Sequence, residues 1–362
     1  MTVEAGCLLA HVQAAAAEAG CRFPLELGSA GSCQIGGNLA TNAGGLNVLR
    51  HGMTRDLVLG IEAVLPDGRI YRRLRMLRKD NTGYDLRSLL VGSEGTLAVI
   101  TACTLKLWPA QRSSATAFVA VPGVAAAVHL LAALRARTGE RLDSFELLPR
   151  IALELVTRHV PGIAAPLAMA SPWYVLCELG SAADEPLAEV LQDALAAALA
   201  AGLVSDAVLA SNEAQRLAFW RLRESVPEAQ RRAGAGLKHD ISVPVAQLPE
   251  FVAQASAWLA TEVPRATLVG YGHVGDGNLH FNLNWLDGAA PGEISAQEGR
   301  IKRHVHDLVA SFGGSFSAEH GIGQLKVAEL ARYASPVELA VMRELKRALD
   351  PHGIMNPGKL LA

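Results

Sequence analysis

The chain alternates short extended runs with helical ones from its first residues. Thr2-Val3-Glu4-Ala5-Gly6 reads as a strand, and Leu8 to Gly20 as a helix closed by a C-cap glycine. Leu57 to Leu65 and Arg69 to Leu74 flank Pro66-Asp67-Gly68 as the arms of a hairpin. Asn81-Thr82-Gly83-Tyr84-Asp85 leads into a short helix, and Gly92 to Thr101 runs from a glycine loop into a strand. Residues 31–45 hold five glycines in fifteen positions and read as a loop whose backbone N–H groups approach a ligand closely. Ile35, Leu39 and Ala40 within it call for burial, which argues against an idle linker. Beyond a boundary near Pro109-Ala110-Gln111-Arg112 come a strand over Ala115 to Val121 and a helix through Arg137. A strand over Trp173 to Glu178 and a helix from Glu185 to Ala201 follow, which together predict an antiparallel sheet with helices on one side. Gln324 to Tyr333 and Pro336 to Asp350 predict two closing helices, the last stopped by Pro351-His352-Gly353. The class is α+β.

The densest chemistry lies in Gly272-His273-Val274-Gly275-Asp276-Gly277-Asn278-Leu279-His280-Phe281-Asn282. Asp276-Gly277 is a strong two-residue hairpin signal, because a type I′ turn needs positive φ at both central positions. That fold sets Gly275 opposite Asn278, Val274 opposite Leu279 and His273 opposite His280, with facing Cβ atoms roughly 5 Å apart. Two imidazoles that close grip one divalent ion, and a carboxylate from elsewhere leaves a coordination position open, the pattern of a catalytic site. Two histidines at this spacing are otherwise ordinary polar residues of a sheet. Glu319-His320-Gly321 adds the carboxylate: it follows Gly314-Ser315-Phe316-Ser317, precedes a helical run, and so belongs on a strand-to-helix loop. Gly270-Tyr271-Gly272-His273-Val274-Gly275 also satisfies G-x-G-x-x-G. That fingerprint requires a following helix to receive a pyrophosphate, and here a turn and an alternating strand follow, so a nicotinamide site is rejected.

Composition narrows the class. With 362 residues, half of them apolar, and a formal net charge of −2, the chain has room for two or three domains and no electrostatic footprint for nucleic acid. Lys and Arg are dispersed, and their densest cluster, Arg69 to Lys79, reads as a solvated hairpin or loop. Cys7, Cys21, Cys33, Cys103 and Cys177 make no metal-ribbon spacing; five scattered thiols fit a reducing cytoplasm. No signal peptide opens the sequence, and alanine-rich stretches such as Asp193 to Leu203 are too short to span a bilayer, which leads to the expectation of a soluble cytoplasmic protein.

Taken in order, the first glycine loop, Lys79-Asp80-Asn81-Thr82-Gly83-Tyr84-Asp85, Gly92 to Thr101, Gly272 to Asn282, Glu319-His320-Gly321 and Asn356-Pro357-Gly358-Lys359 resemble the FAD-linked 2-hydroxyacid dehydrogenases of the vanillyl-alcohol-oxidase fold. That family includes D-2-hydroxyglutarate dehydrogenase, D-lactate dehydrogenase and the flavoprotein component of glycolate oxidase. Arg223-Glu224 and Lys238-His239-Asp240-Ile241-Ser242-Val243-Pro244 look most like the hydroxyglutarate members. The resemblance implies a partial PCMH-type FAD-binding domain over 1–110, a substrate and metal cap domain over 111–335 with an antiparallel sheet flanked by helices, and a C-terminal helix and tail over 336–362 returning to the flavin. It implies zinc on His273, His280 and Glu319, His320 as catalytic base, and Arg223, Lys238 and Asn282 as substrate contacts. Along FAD it implies Cys33, Ile35, Gly36, Gly37, Asn38, Thr41, Asn42, Gly92, Glu94, Gly95, Val99, Ile100, Asn356 and Lys359. Two departures stand out. Pro227 occupies a position where the hydroxyglutarate enzymes carry a hydroxyl residue, which bears on dicarboxylate preference. Family members also carry a further N-terminal segment with the glycine-rich loop that holds the FAD pyrophosphate, so the chain as given is expected to bind FAD weakly or not at all.

The activity implied is oxidation of a D-2-hydroxyacid to the 2-oxoacid, with D-2-hydroxyglutarate favoured and D-lactate or glycolate as alternatives. His320 would take the hydroxyl proton beside zinc while hydride passes to flavin. Reoxidation calls for an electron acceptor such as a quinone, an electron-transfer flavoprotein or a cytochrome, and a homodimer is compatible with the reading. Two other classes stay open: a non-catalytic remnant unable to hold FAD, and a zinc-dependent hydrolase, which would not need the glycine loops at 31–45 and 92–95.

Overall fold

The chain divides at Ala110 and again at Ala318. In the computed structural model, which describes residues 1–361, Met1–Ala110 and the chain from Glu319 onward form one unit, and Gln111–Ala318 forms the other. Residues 319–335, grouped with the cap domain in the sequence reading, therefore fold with the first unit. The reason is local: the Glu94 carboxylate accepts the Ile322 and Gly323 N–H groups at 2.7 Å each, and Leu360 N–H donates to the Gly323 carbonyl at 2.9 Å. Among the described residues no helix is long and apolar enough to cross a membrane, and all five cysteines are free.

In the first unit the strands are β1 (Thr2–Glu4), β2 (Cys21–Arg22), β3 (Val58–Val64), β4 (Ile70–Arg73), β5 (Val99–Leu105) and β6 (Trp108–Pro109). Four of them make an antiparallel sheet in the order β1-β5-β3-β4, while β2 pairs with β6. Ile61, Cys103 and Leu105 of the sheet share one core with Leu9, Val12, Ile35 and Leu39 from the helices Leu9–Glu18 and Ile35–Thr41. The second of these helices corrects the sequence reading, which took 31–45 as loop throughout. Glycine usually weakens a helix interior. Here a Cβ on Gly36 would lie 2.8 Å from the Ala5 Cβ, so the residue is spent on close packing against the segment after β1, and burial of Ile35 and Leu39 outweighs the propensity loss.

The second unit contains β7 (Ser113–Val121), β8 (Leu142–Pro149), β9 (Trp173–Ser181), β10 (Asp206–Leu209), β11 (Gly236–Leu237), β12 (Asp240–Ser242), β13 (Thr267–Tyr271) and β14 (Asn278–Asn284). One antiparallel sheet runs β10-β7-β9-β8, with the helices Val124–Thr138 and Leu187–Ala200 packed on it. In the other, β14 pairs with β11 and β12 on one side and β13 on the other. The two sheets meet where Leu147 of β8 and Gly272 exchange N–H···O bonds of 2.8 and 3.0 Å.

That bridge changes the hairpin expected at Asp276-Gly277. Gly272 leaves the ladder with β14 to pair with Leu147, so the connection widens to residues 272–277 and Tyr271, not His273, stands opposite His280. Gly277 has φ +87°, but Asp276 is not in the left-handed region, so the tight type I′ turn does not form. The extended stretch expected over Gly314 to Ser317 is likewise reduced to one bridge between Ser315 and Ser242.

The glycine at 277 yields a direct test. A Cβ there would lie 2.2 Å from the Val243 carbonyl oxygen, whereas Gly288, at φ +81°, faces open space. Gly288→Ala should cost about 1–2 kcal/mol, the strain of a left-handed non-glycine residue. Gly277→Ala should exceed it by about 2 kcal/mol or more, because the backbone of β12 and its extension must shift. Urea midpoints at unchanged m-value measure the difference, and equal losses would contradict the close approach.

Candidate active and metal site

Alternation along β14 separates two chemistries. Leu279, Phe281 and Leu283 are buried on one face, where Phe281 meets Phe251 of the helix Leu248–Glu262 edge to face at 5.5 Å. Asn278, His280, Asn282 and Asn284 line the other, since successive side chains of a strand point to opposite sides. Tyr271 and Asp240 flank His280 in the ladder, and the Tyr271 and His280 rings lie 5.0 Å apart. His273 reaches the same place from the widened connection. Its ring centroid is 5.6 Å from that of His280, and the two histidines each offer a nitrogen within 4.8 Å of the other. The expected pairing of imidazoles is thus present, reached through the Gly272 bridge instead of direct cross-strand register. Burial, with the nearby Arg223 and His273 charges, holds the His280 imidazole well below its usual range, so it is neutral and able to ligate at neutral pH.

Sequence reasoning missed the group that organises this corner. Glu146, on β8, is 1% exposed; its Oε1 lies 2.6 Å from His273 Nδ1, and its Oε2 accepts the Arg223 Nε–H at 2.8 Å. Burial alone would raise this carboxyl, but the His273 and Arg223 charges and their hydrogen bonds outweigh it and hold it down to about 2. Arg223, expected as a substrate contact, is 6% exposed, and its guanidinium lies over the Tyr271 ring at 4.9 Å. The only signal in the sequence was a lone acidic residue between Phe145 and Leu147-Leu148 in a run with no clean alternation. All eight residues of β8 are buried.

The other expected residues fall into place unevenly. Asn282 is buried, its Nδ2 donating to Gln230 Oε1 at 3.1 Å and its Oδ1 accepting the His239 N–H at 3.3 Å. Lys238 is exposed, on the link between β11 and β12. Ala318 N–H donates to the Asp240 carbonyl at 3.2 Å, and Asp240 faces His280, so the last residue of the second unit is tied to the His280 row. Glu319 is bonded directly to Ala318. Within the first unit its Oε1 accepts the Gly45 N–H at 3.3 Å, and His320 beside it is exposed.

The positions expected along flavin divide among several surroundings within the first unit. Gly36, Gly37, Gly95, Val99 and Ile100 line one cavity of about 290 Å³ together with Ala5, Gln34 and Ser93. Gly92 (φ +82°), Glu94 (φ +53°) and Gly95 (φ +71°) form its left-handed turn, which brings backbone to the cavity edge. Ile35 is instead in the core. Asn38 is buried with its Nδ2 3.7 Å from Cys33 Sγ, and Thr41 bonds back to the Gly37 carbonyl at 3.1 Å. Asn42 accepts the Arg55 N–H at 2.9 Å. Asn356 and Lys359 line a separate cavity of about 270 Å³ with Thr96, Arg343, Lys346 and Arg347. Glycines in the first cavity wall leave backbone open to a ligand, and the Arg343, Lys346, Arg347 and Lys359 charges of the second suit an anion.

Comparison with known proteins bears on the whole chain. Residues 110–360 match the family model of the FAD-linked oxidase C-terminal domain, and residues 1–73 match that of an FAD-binding domain. The chain is 42% identical over 362 residues to the mitochondrial D-2-hydroxyglutarate dehydrogenase of Bos taurus, covering 100% of this chain and 65% of the relative. It is 39% identical over 367 residues to the corresponding protein of Arabidopsis thaliana, covering 100% and 63%. The chain therefore spans a little under two thirds of the length of these relatives. Among solved structures it is similar to p-cresol methylhydroxylase with substrate bound, at a TM-score of 0.74 and 16% identity, covering 99% of this chain and 75% of the other, which shows a shared fold. The resemblance carried by the glycine segments and the His273–Asn282 region is thus matched in sequence and in fold, and the chain belongs to the FAD-linked oxidases.

Proposed function

We propose that the chain acts in the FAD-dependent oxidation of a D-2-hydroxyacid, with D-2-hydroxyglutarate foremost and D-lactate or glycolate as alternatives, assisted by zinc at His273, His280 and Glu319. The observation that carries it is the approach of the His273 ring, from the connection before β14, to His280 on the polar row of β14, beside a buried arginine, in a chain similar along all of its residues to D-2-hydroxyglutarate dehydrogenases. Two imidazoles and one carboxylate are a donor set that zinc takes, and three such ligands would leave one position for a substrate oxygen. When bound, the ion supplies Lewis acidity to a 2-hydroxyl and the flavin accepts the hydride.

The chain's own residues do the rest. His320 removes the hydroxyl proton, a role suited to an imidazole near neutral pH and to its exposed place beside Glu319. Arg223 and Lys238 attract the substrate carboxylate, and Asn282, held by Gln230, orients the reacting end. The glycine-lined cavity of the first unit supports the ring of FAD, with Gly36, Gly37 and Gly95 at its wall and Asn356 and Lys359 assisting from the tail. This reading leaves no use for the zinc hydrolase alternative, whose chemistry would not need the glycine segments. An external electron acceptor and a cytoplasmic location, supported by the five free thiols, belong to the same reading.

Two measurements test it. Elemental analysis should find one equivalent of zinc in the wild type and near none in His280→Ala; equal contents would remove His280 from the ligand set. In assays with added FAD and an artificial acceptor, His320→Ala should keep its zinc while kcat for D-2-hydroxyglutarate falls roughly 100-fold or more, the usual worth of a general base. Near-wild-type turnover would exclude His320, and a wild type that binds the added FAD yet is inactive on all three hydroxyacids would count against the activity itself.

A further inference from the structure

A carboxylate as buried as Glu146 has to be matched on both oxygens. Oε1 meets His273 Nδ1 at 2.6 Å and Oε2 meets Arg223 Nε at 2.8 Å. The backbone holds the first of these contacts in place. Leu147 and Gly272, the next residue after Glu146 and the one before His273, close a two-bond bridge of 2.8 and 3.0 Å. Gly275 N–H adds a bond to the Phe145 carbonyl at 3.4 Å. An imidazole whose Nδ1–H is taken by a carboxylate presents its Nε2 lone pair, and metal-bound histidines commonly have such a partner on the other nitrogen.

We propose that Glu146 is a positioning residue for the metal: it fixes His273 with the proton on Nδ1 and Nε2 as the ligating atom, while Arg223 holds the other carboxylate oxygen and so sets the orientation of the acid. The proposal rests on the reading of His273 and His280 as metal ligands. It gives Arg223 a task that precedes any contact with substrate, since its Nε edge is committed to Glu146. It also explains why an acid is needed here and an amide will not serve. Arg223 Nε–H is always a donor, so the amide introduced by Glu146→Gln must turn its oxygen to Arg223 and its NH₂ to His273. His273 Nδ1 then has to accept, which moves the ring proton to Nε2, the atom the metal requires.

The test uses the full chain. Zinc affinity is measured by competition with a chromophoric chelator for wild type and Glu146→Gln, with circular dichroism to verify folding. In parallel, ¹⁵N imidazole shifts of His273 are recorded in the zinc-loaded wild type. We expect roughly 10–100-fold weaker zinc binding in the variant, and a wild-type His273 protonated on Nδ1 with Nε2 on the metal. Unchanged affinity in a folded Glu146→Gln protein, or zinc on His273 Nδ1, overturns the proposal and leaves the metal site standing. A wild type that takes up no zinc overturns both. If the variant does not fold, the wild-type tautomer decides alone.

Discussion

Glu146 is the constraint from which the rest of the site follows. Removing a carboxylate from water costs several kcal/mol unless charges and hydrogen bonds replace the lost hydration. Here the replacements come from two elements distant in sequence: His273 in the loop between β13 and β14, and Arg223 in the helix Glu213–Glu224. Satisfying one acid therefore fixes an imidazole and a guanidinium at once. It also requires β8 to lie against the β13–β14 connection, which the Leu147–Gly272 bridge accomplishes in backbone hydrogen bonds.

The polar row of β14 extends the same logic. Gln230, 2% exposed, joins Asn282 and Asn284 through both ends of its amide, and Asn278 donates to Asp240 at 3.0 Å. For Gln230, Asn282 and Asn284, whose amides are linked in this way, another rotamer would break these bonds and leave buried donors and acceptors unmatched. Rigidity at His280 and Asn282 thus arises from hydrogen-bond matching on one face and from Leu279, Phe281 and Leu283 packing on the other. In the first unit Glu94 has the comparable task. Its carboxylate gathers the N–H groups of Ile322 and Gly323 and its carbonyl accepts from the Asn356 side chain, which ties the segment after His320 and the C-terminal tail to one glycine turn.

Much of this was legible in the sequence where period and punctuation agree. The β3–β4 hairpin about Pro66-Asp67-Gly68, the capped helix before Gly20, and the alternation of β14 all follow from local rules. The pairing of His273 with His280 was legible too, although the register was not: a bridge to Leu147 is a long-range event that no dipeptide at 276–277 encodes. Two features escaped for identifiable reasons. The helix Ile35–Thr41 was hidden by its two glycines, of which Gly36 packs against Ala5. Strand β8 was hidden because it is buried on both faces and carries Asp143, Ser144 and Glu146, so it shows neither alternation nor a clean apolar run. With β8 unseen, Glu146 could not be assigned a partner.

We propose that His273 and His280 hold one metal ion together with a carboxylate. X-ray absorption at the zinc edge of the loaded protein tests it most directly, since the chain also offers five free thiols as competing ligands. The expected spectrum is a four-coordinate shell of nitrogen and oxygen at about 2.0–2.1 Å, with outer-shell scattering from two imidazoles. A shell containing sulfur at about 2.3 Å, or only one imidazole, would contradict it.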